Sequence, residues 1–336
     1  MIRAAIIGLG RIGSGFDAGI KSGPPRTHTG AILQTSDFDL TAASDSSPGN
    51  RAAFRSQWGL PAPVYATAKE LFEHGPYDVV TVATPAESHA DIIQAALALG
   101  PRVIFCEKPF CGSVEDARKT AESAKKKGIP ILVNYHRRWD PKIRALRERL
   151  AGLGAPRRVN VVYRKGLFNY GSHIVDLLEY LFGPIVGVAA EPLTPRQGAM
   201  EDPSISARLR FQTGFDAAMI GIDDVQYDLF DVEMFFDGCK FSLEMGGYKI
   251  RYYVGREGLY FPAYINLAET PCGLPDGPVS GLLQAYSEIR EHLLQGSQLS
   301  TGLADSAIRA SAVLDAIRSS AQRGVGIAIN PVVIPA

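Results

Sequence analysis

Two short stretches of the 336-residue chain carry side chains that could move protons and steady charge. In IFCEKPFCG (104–112) an apolar run ends on Glu107 and Lys108, with Pro109 behind them. Proline fixes its own φ and restricts the residue before it, so the lysine is held rather than left to wander. An ammonium held at a ligand site can stabilise an oxygen that is acquiring negative charge. Taken alone, the pattern equally describes a strand end closed by a surface ion pair. In FNYGSHIVDLLEYLFG (168–183) His173 stands near a helix start with Asp176 one turn on. A carboxylate there can hold the imidazole in one tautomer and stabilise its protonated form, which suits acid–base work. The other reading is a capping or core histidine bonded to Asp176.

The elements that must position these groups follow from the apolar pattern. The first third alternates strand and helix signals. IRAAIIGLG, FDLTAASD (38–45), DVVTVATP (78–85), RVIFCE (102–107) and IPILVNY (129–135) read as buried parallel strands. SHADIIQAALALG (88–100) and SVEDARKTAESAKKKG (113–128) read as helices, the second with a Ser N-cap, an acidic first turn and a Lys/Gly end. Alternating βαβ units imply a parallel doubly wound sheet, whose ligands lie outside the carboxyl ends of the strands. VATP, with Thr84 and Pro85, and FCEKP end two neighbouring strands and so belong beside that ligand.

The ligand itself is indicated at the start of the chain. Gly8-Leu9-Gly10-Arg11-Ile12-Gly13 follows the first strand directly. The first glycine permits a tight turn, the second lets backbone approach a pyrophosphate, and the third lets helix pack on strand. Asp45 ends the second strand, where a carboxylate accepts ribose hydroxyls and repels a 2′-phosphate. The expected cofactor is NAD rather than NADP, with Arg51 nearby as the complication. Gly13 to Asp45 is 32 positions, where the fingerprint has about 20. The surplus lies in SGFDAGIKSGPPRTHTG (14–30), read as a loop inserted before or early in the first helix. Such a loop could cover the cofactor, reach a partner subunit, or be a passive excursion.

After about residue 150 the pattern changes to strands with short turns: 157–164, 204–212, 216–224, 230–238, 240–247 and 249–258. This predicts an α/β protein with an N-terminal Rossmann domain (1–133) and a C-terminal α+β domain (134–336) built on a large, mostly antiparallel open sheet. A helix over 171–183 interrupts the strands, and helices at about 279–295 and 303–323 close the chain. Lys+Arg and Asp+Glu are each 35, so no global field favours nucleic acid or a membrane surface. The four cysteines show no CxxC spacing and the start is no signal peptide, which points to a cytoplasmic protein. The six histidines show no metal-ligand spacing.

GLGRIG, VATP followed by Ser88-His89, EKP and GSHIVD, in this order over nearly the whole chain, resemble the glucose–fructose oxidoreductase / inositol dehydrogenase family (Gfo/Idh/MocA). The resemblance implies an NAD-dependent oxidoreductase that transfers a hydride between nicotinamide and a secondary alcohol or ketone of a sugar. It implies that Lys108 contacts nicotinamide ribose and substrate hydroxyl and that His173 is the acid/base. Glu107 and His89 fall on the cofactor side. Asn169 stands where many members have Asp, and N-x-G-x-H resembles the branch acting on nucleotide sugars. Arg137, Arg138, Arg164 and Lys165 could meet a diphosphate or uronate, with Arg138, Lys165 and Asn169 the expected substrate contacts, or form ordinary ion pairs. The resemblance also implies a homodimer or homotetramer formed through the C-terminal sheet. Two alternatives remain: a catalytically silent NAD-binding sensor, and an NAD-dependent glycosidase of the same family.

Overall fold

A computed structural model describes residues 1–19, 23–223, 225–258, 261–274 and 280–330. The chain divides into two compact units, Met1–Asp140 with Val279–Ile308, and Pro141–Pro278 with Arg309–Ala336. The expected boundary at 133/134 thus moves to Asp140, and a later segment returns to the first unit.

The first unit contains β1 (Ile2–Ile7), α1 (His28–Gln34), β2 (Phe38–Ser44), α2 (Pro48–Trp58), β3 (Val64–Tyr65), α3 (Ala68–Phe72), β4 (Val79–Val82), α4 (His89–Leu99), β5 (Val103–Cys106), α5 (Val114–Lys126) and β6 (Ile131–Val133). Its six strands are all parallel, in the order β3-β2-β1-β4-β5-β6. The order reverses between β1 and β4, the switch point of a doubly wound sheet. β4 and β5 are buried at every position, as sheets covered on both faces require. Ser113 caps α5 by accepting the Asp116 N–H, as its sequence predicts. The short β3 and the helices α2 and α3 are additions to the elements that the apolar pattern predicts.

The second unit holds α6 (Pro141–Ala151), β7 (Arg158–Tyr163), α7 (Ser172–Phe182), β8 (Ile185–Ala190), α8 (Pro195–Gly198), β9 (Ala207–Phe211), β10 (Asp216–Gly221), β11 (Phe230–Phe235), β12 (Cys239–Glu244), β13 (Lys249–Glu257) and β14 (Ile265–Thr270). Then come α9 (Gly281–Gln295) in the first unit, α10 (Ala304–Arg323), which crosses the division, and β15 (Ile327–Ala328). The nine strands run β14-β13-β12-β11-β7-β10-β9-β8-β15, antiparallel except for β7 beside β10. Alternate residues of β9 and β11 are buried, so one face of this sheet forms the unit's core.

The returning helix α9 belongs to the first unit for a packing reason. Leu282, Ala285, Tyr286, Ile289 and Leu293 join the core that β1, β5 and Trp139 build. Tyr286 meets Phe38 and Phe105 edge to face, at 5.6 and 5.4 Å between ring centres. Nothing in the stripe of α9 says which sheet it covers, so the sequence reading placed it with the second domain.

Candidate dinucleotide and acid–base sites

The three glycines of the first turn differ in what surrounds them. Gly8 has φ +99°, and a side chain there would collide with the Ala83 carbonyl at the end of β4. A side chain on Gly13 would collide with the Gly8 carbonyl. A Cβ on Gly10 would meet nothing within 4 Å. Two glycines therefore make the turn, and the third leaves its outer side open. That fits a pyrophosphate passing over the backbone, as the Gly-rich turn of a dinucleotide fold requires. Ile12 packs against the core, while Arg11 is exposed with its guanidinium 4.7 Å from the Phe16 ring centre.

The helix that should follow is interrupted. Ser14 N–H reaches Gly10 O (3.0 Å) and Phe16 N–H reaches Arg11 O (2.8 Å), one helical turn and no more. The chain leaves, then re-enters the same ladder: His28 N–H donates to Ile12 O and Thr29 N–H to Gly13 O, both at 3.0 Å. Each bond spans 16 residues where a helix spans four, so twelve are inserted. Removing twelve from the 32 between Gly13 and Asp45 leaves the 20 of the fingerprint. The excursion sits early in the first helix. It is closed by Asp17, which accepts from Arg26 N–H (2.9 Å), Thr27 N–H (3.0 Å) and the Thr27 hydroxyl (2.5 Å).

Asp45 lies just past β2 and is already engaged. Its Oδ2 accepts from Leu9 N–H (2.7 Å) and Asn50 Nδ2 (3.0 Å), its Oδ1 from Ser47 N–H (2.8 Å). With about four lone-pair sites on a carboxylate, Oδ1 keeps room for one more donor. Arg51 is turned onto the carbonyls of Asp45 (2.8 Å) and Ser46 (3.0 Å).

Three sequence expectations change in the first unit. His89 is fully buried: Nε2 lies 2.7 Å from Thr84 O, and Nδ1 lies 3.1 Å from Pro109 O and 3.2 Å from Cys106 Sγ. It fastens the two strand-end turns to each other and does not face a cofactor. Glu107 is buried too, its carboxylate turned inward. Oε1 accepts from Asn134 Nδ2 (2.6 Å) and lies 2.9 Å from His28 Nε2. A charge at that depth must face its donors rather than a ligand. Arg138 is also buried, so it is not an exposed cation awaiting substrate. Thr84, Pro85 and Lys108 remain accessible at the ends of β4 and β5. The Lys108–Pro109 peptide is cis.

In the second unit Gly166–Gly171 forms a π-helical turn that leads directly into α7. Such turns are rare and concentrate at functional sites. Asn169 is exposed on it, and His173 follows in the first turn of α7, half-buried. Asp176 is buried within α7. Lys165, entering the turn at φ +64°, is committed to Asp228 (2.6 Å) and the Tyr170 hydroxyl (3.0 Å). It is an ion pair here, the plainer of its two readings.

Sequence reasoning missed His28, Tyr286 and Asp202. His28 was within reach: the fingerprint helix had to resume somewhere in 14–30, and its first residue is His28. Tyr286 and Asp202 lie far along the chain from what they hold, and no local pattern marks them.

Residues 2–135 match the family model described as "Oxidoreductase family, NAD-binding Rossmann fold" under the name GFO_IDH_MocA. The chain is 26% identical to the D-apiose dehydrogenase of Paraburkholderia graminis over 49% of this chain and 48% of that one. It is 30% identical to the rhizopine catabolism protein MocA of Rhizobium meliloti over 45% and 43%. The chain thus spans about half the length of these curated relatives. Its fold matches that of the WlbA dehydrogenase from Bordetella pertussis in complex with NADH and UDP-GlcNAcA. There the TM-score is 0.78, at 19% identity over 98% of each chain.

Proposed function

We propose that the chain, whose residues 2–135 match the NAD-binding Rossmann oxidoreductase family model, is an NAD-dependent dehydrogenase of a sugar secondary alcohol. The proposed substrate class is nucleotide sugars. The observation that carries the reading is the open side of Gly10 at the sheet's switch point, with Asp45 past β2 and Lys108 past β5. At that point Asp45 would hold the adenosine ribose of a dinucleotide, and Thr84 and Lys108 its nicotinamide end.

Bound NAD supplies the nicotinamide ring that accepts the hydride. The chain's own residues do the rest. Lys108 holds the substrate hydroxyl and stabilises the oxygen as it becomes an alkoxide. His173 takes the hydroxyl proton, with Asp176 steadying the imidazole. Asn169 offers an amide to a substrate hydroxyl but cannot take a proton itself, so the proton stays with His173. The Asn169-x-Gly171-x-His173 pattern favours a nucleotide sugar over a free one.

The test is NADH formation from NAD against UDP-sugars, UDP-uronates, free hexoses and inositols, with Lys108→Met and His173→Ala in parallel. Turnover on UDP-sugars or uronates, lost in both variants, is the expected result. Turnover on free sugars alone would overturn the substrate class. Bound NAD with no turnover on any of them would favour a sensor.

A further inference from the structure

The first unit contains a buried polar chain that the reaction above does not use. His28 has no exposed surface. Its Nε2 lies 2.9 Å from Glu107 Oε1 and its Nδ1 2.9 Å from the Tyr286 hydroxyl. That hydroxyl lies 2.7 Å from Thr81 Oγ1 on β4. Glu107 Oε1 also accepts from Asn134 just past β6. A neutral imidazole gives each of these contacts one donor and one acceptor. The ionised Glu107 accepts from Nε2–H, Nδ1 accepts from Tyr286, and the Tyr286 oxygen accepts from Thr81. Phe105 and Tyr286 stand edge-on to the imidazole, at 84° and 83°, which fixes the ring plane.

His28 is also where the interrupted helix resumes, bonded through its N–H to Ile12 in the glycine turn. One residue therefore grips the phosphate turn with its backbone and the end of β5 with its side chain. The Lys108 N–H in turn donates to Glu107 Oε2 at 3.3 Å. The orientation of the Glu107 carboxylate is thereby passed to the turn that carries Lys108.

We propose that His28 is a positioning residue for the nicotinamide half of the dinucleotide site, acting through Glu107. This rests on the reading that the nicotinamide lies over the ends of β4 and β5. Leucine offers no donor, so His28→Leu leaves the buried carboxylate short of a partner and loosens its hold on the Lys108 turn. The glycine turn keeps its main-chain bond from residue 28 whatever the side chain.

The experiment compares NADH with ADP-ribose, which lacks nicotinamide, by calorimetric titration of the full chain. His28→Leu should weaken NADH about tenfold while ADP-ribose stays within about twofold. His28→Gln, whose amide can reach Glu107, should recover most of the loss. Tyr286→Phe, which frees the ring tautomer, should fall between them and decides the matter with His28→Gln if the leucine variant does not fold. Equal weakening of both ligands would assign His28 to general stability and overturn the proposal, as would no change in either. Failure of the unaltered protein to bind either ligand would overturn the dinucleotide reading as well.

Discussion

Asp202 accepts the main-chain N–H groups of Phe168 (2.9 Å) and Asn169 (3.1 Å), one on each carboxylate oxygen. It sits so close to Gly166 that any side chain there would strike it. The π-helical turn ahead of His173 is thus held from outside by a residue over thirty positions away. Asp202→Ala should lower stability by about 1–3 kcal/mol, since two donors lose a charged acceptor. Amide hydrogen exchange at 168 and 169 should speed up more than in the middle of α7. Unchanged exchange there would mean that the turn holds itself.

The glycine turn gives a contrasting pair of variants. Gly10→Ala places its methyl in open space, so the melting temperature should barely move. NADH affinity should nevertheless fall about tenfold or more, because the methyl occupies the pyrophosphate path. Gly13→Ala collides with backbone and should cost about 2 kcal/mol or more of stability. Loss of affinity without loss of stability in Gly10→Ala is the measurement that places the phosphates.

Deleting Phe16–Thr27, twelve residues, joins Gly15 to His28 and restores an unbroken first helix in the register its hydrogen bonds already keep. The shortened chain should fold and bind NADH within about tenfold of the parent. The deletion also removes Pro25, whose carbonyl accepts the Ser280 hydroxyl at 2.6 Å. A chain that fails to fold would show that the excursion has become part of the core.

Glu107 lies below its ordinary 4.5. Burial alone pushes its carboxyl up, but the hydrogen bonds from His28 and Asn134 and the Lys108 charge outweigh it. The carboxyl is therefore a stronger acid folded than unfolded. Its ionisation stabilises the fold above about pH 4.5, and this is lost as pH falls through the lower folded value. Glu107→Gln should cost most near neutrality, and its melting-temperature gap from the parent should narrow below about pH 4.5. A gap independent of pH would mean that the carboxyl is not ionised in the folded protein.

The first sheet was legible because parallel strands buried on both faces read as apolar runs ending in glycine or a charge. The second was legible from alternation, as in β9 and β11. What the sequence hid was partnership across distance. The inward turn of Glu107 depends on His28 and Asn134, 79 and 27 positions away. The same holds for His89, which looks like a helix-start histidine facing a ligand until Pro109 and Cys106 close around it. The even count of twelve extra residues was present in the Gly13-to-Asp45 spacing. Only the resumed ladder at Ile12 and Gly13 says that the excess is a clean interruption of one helix.

The return of α9 to the first unit has a consequence during synthesis. When β6 leaves the ribosome, the six strands are complete, yet Tyr286 and its neighbours, which close their core, do not exist. Pro141–Pro278 must be made first, a wait of about 7–30 s at ordinary elongation rates. For that interval the nascent sheet carries an uncovered apolar face and a Glu107–His28 pair with no tyrosine behind it. A premature stop within the second unit would release a chain with that face open, a substrate for chaperones rather than a small binding domain.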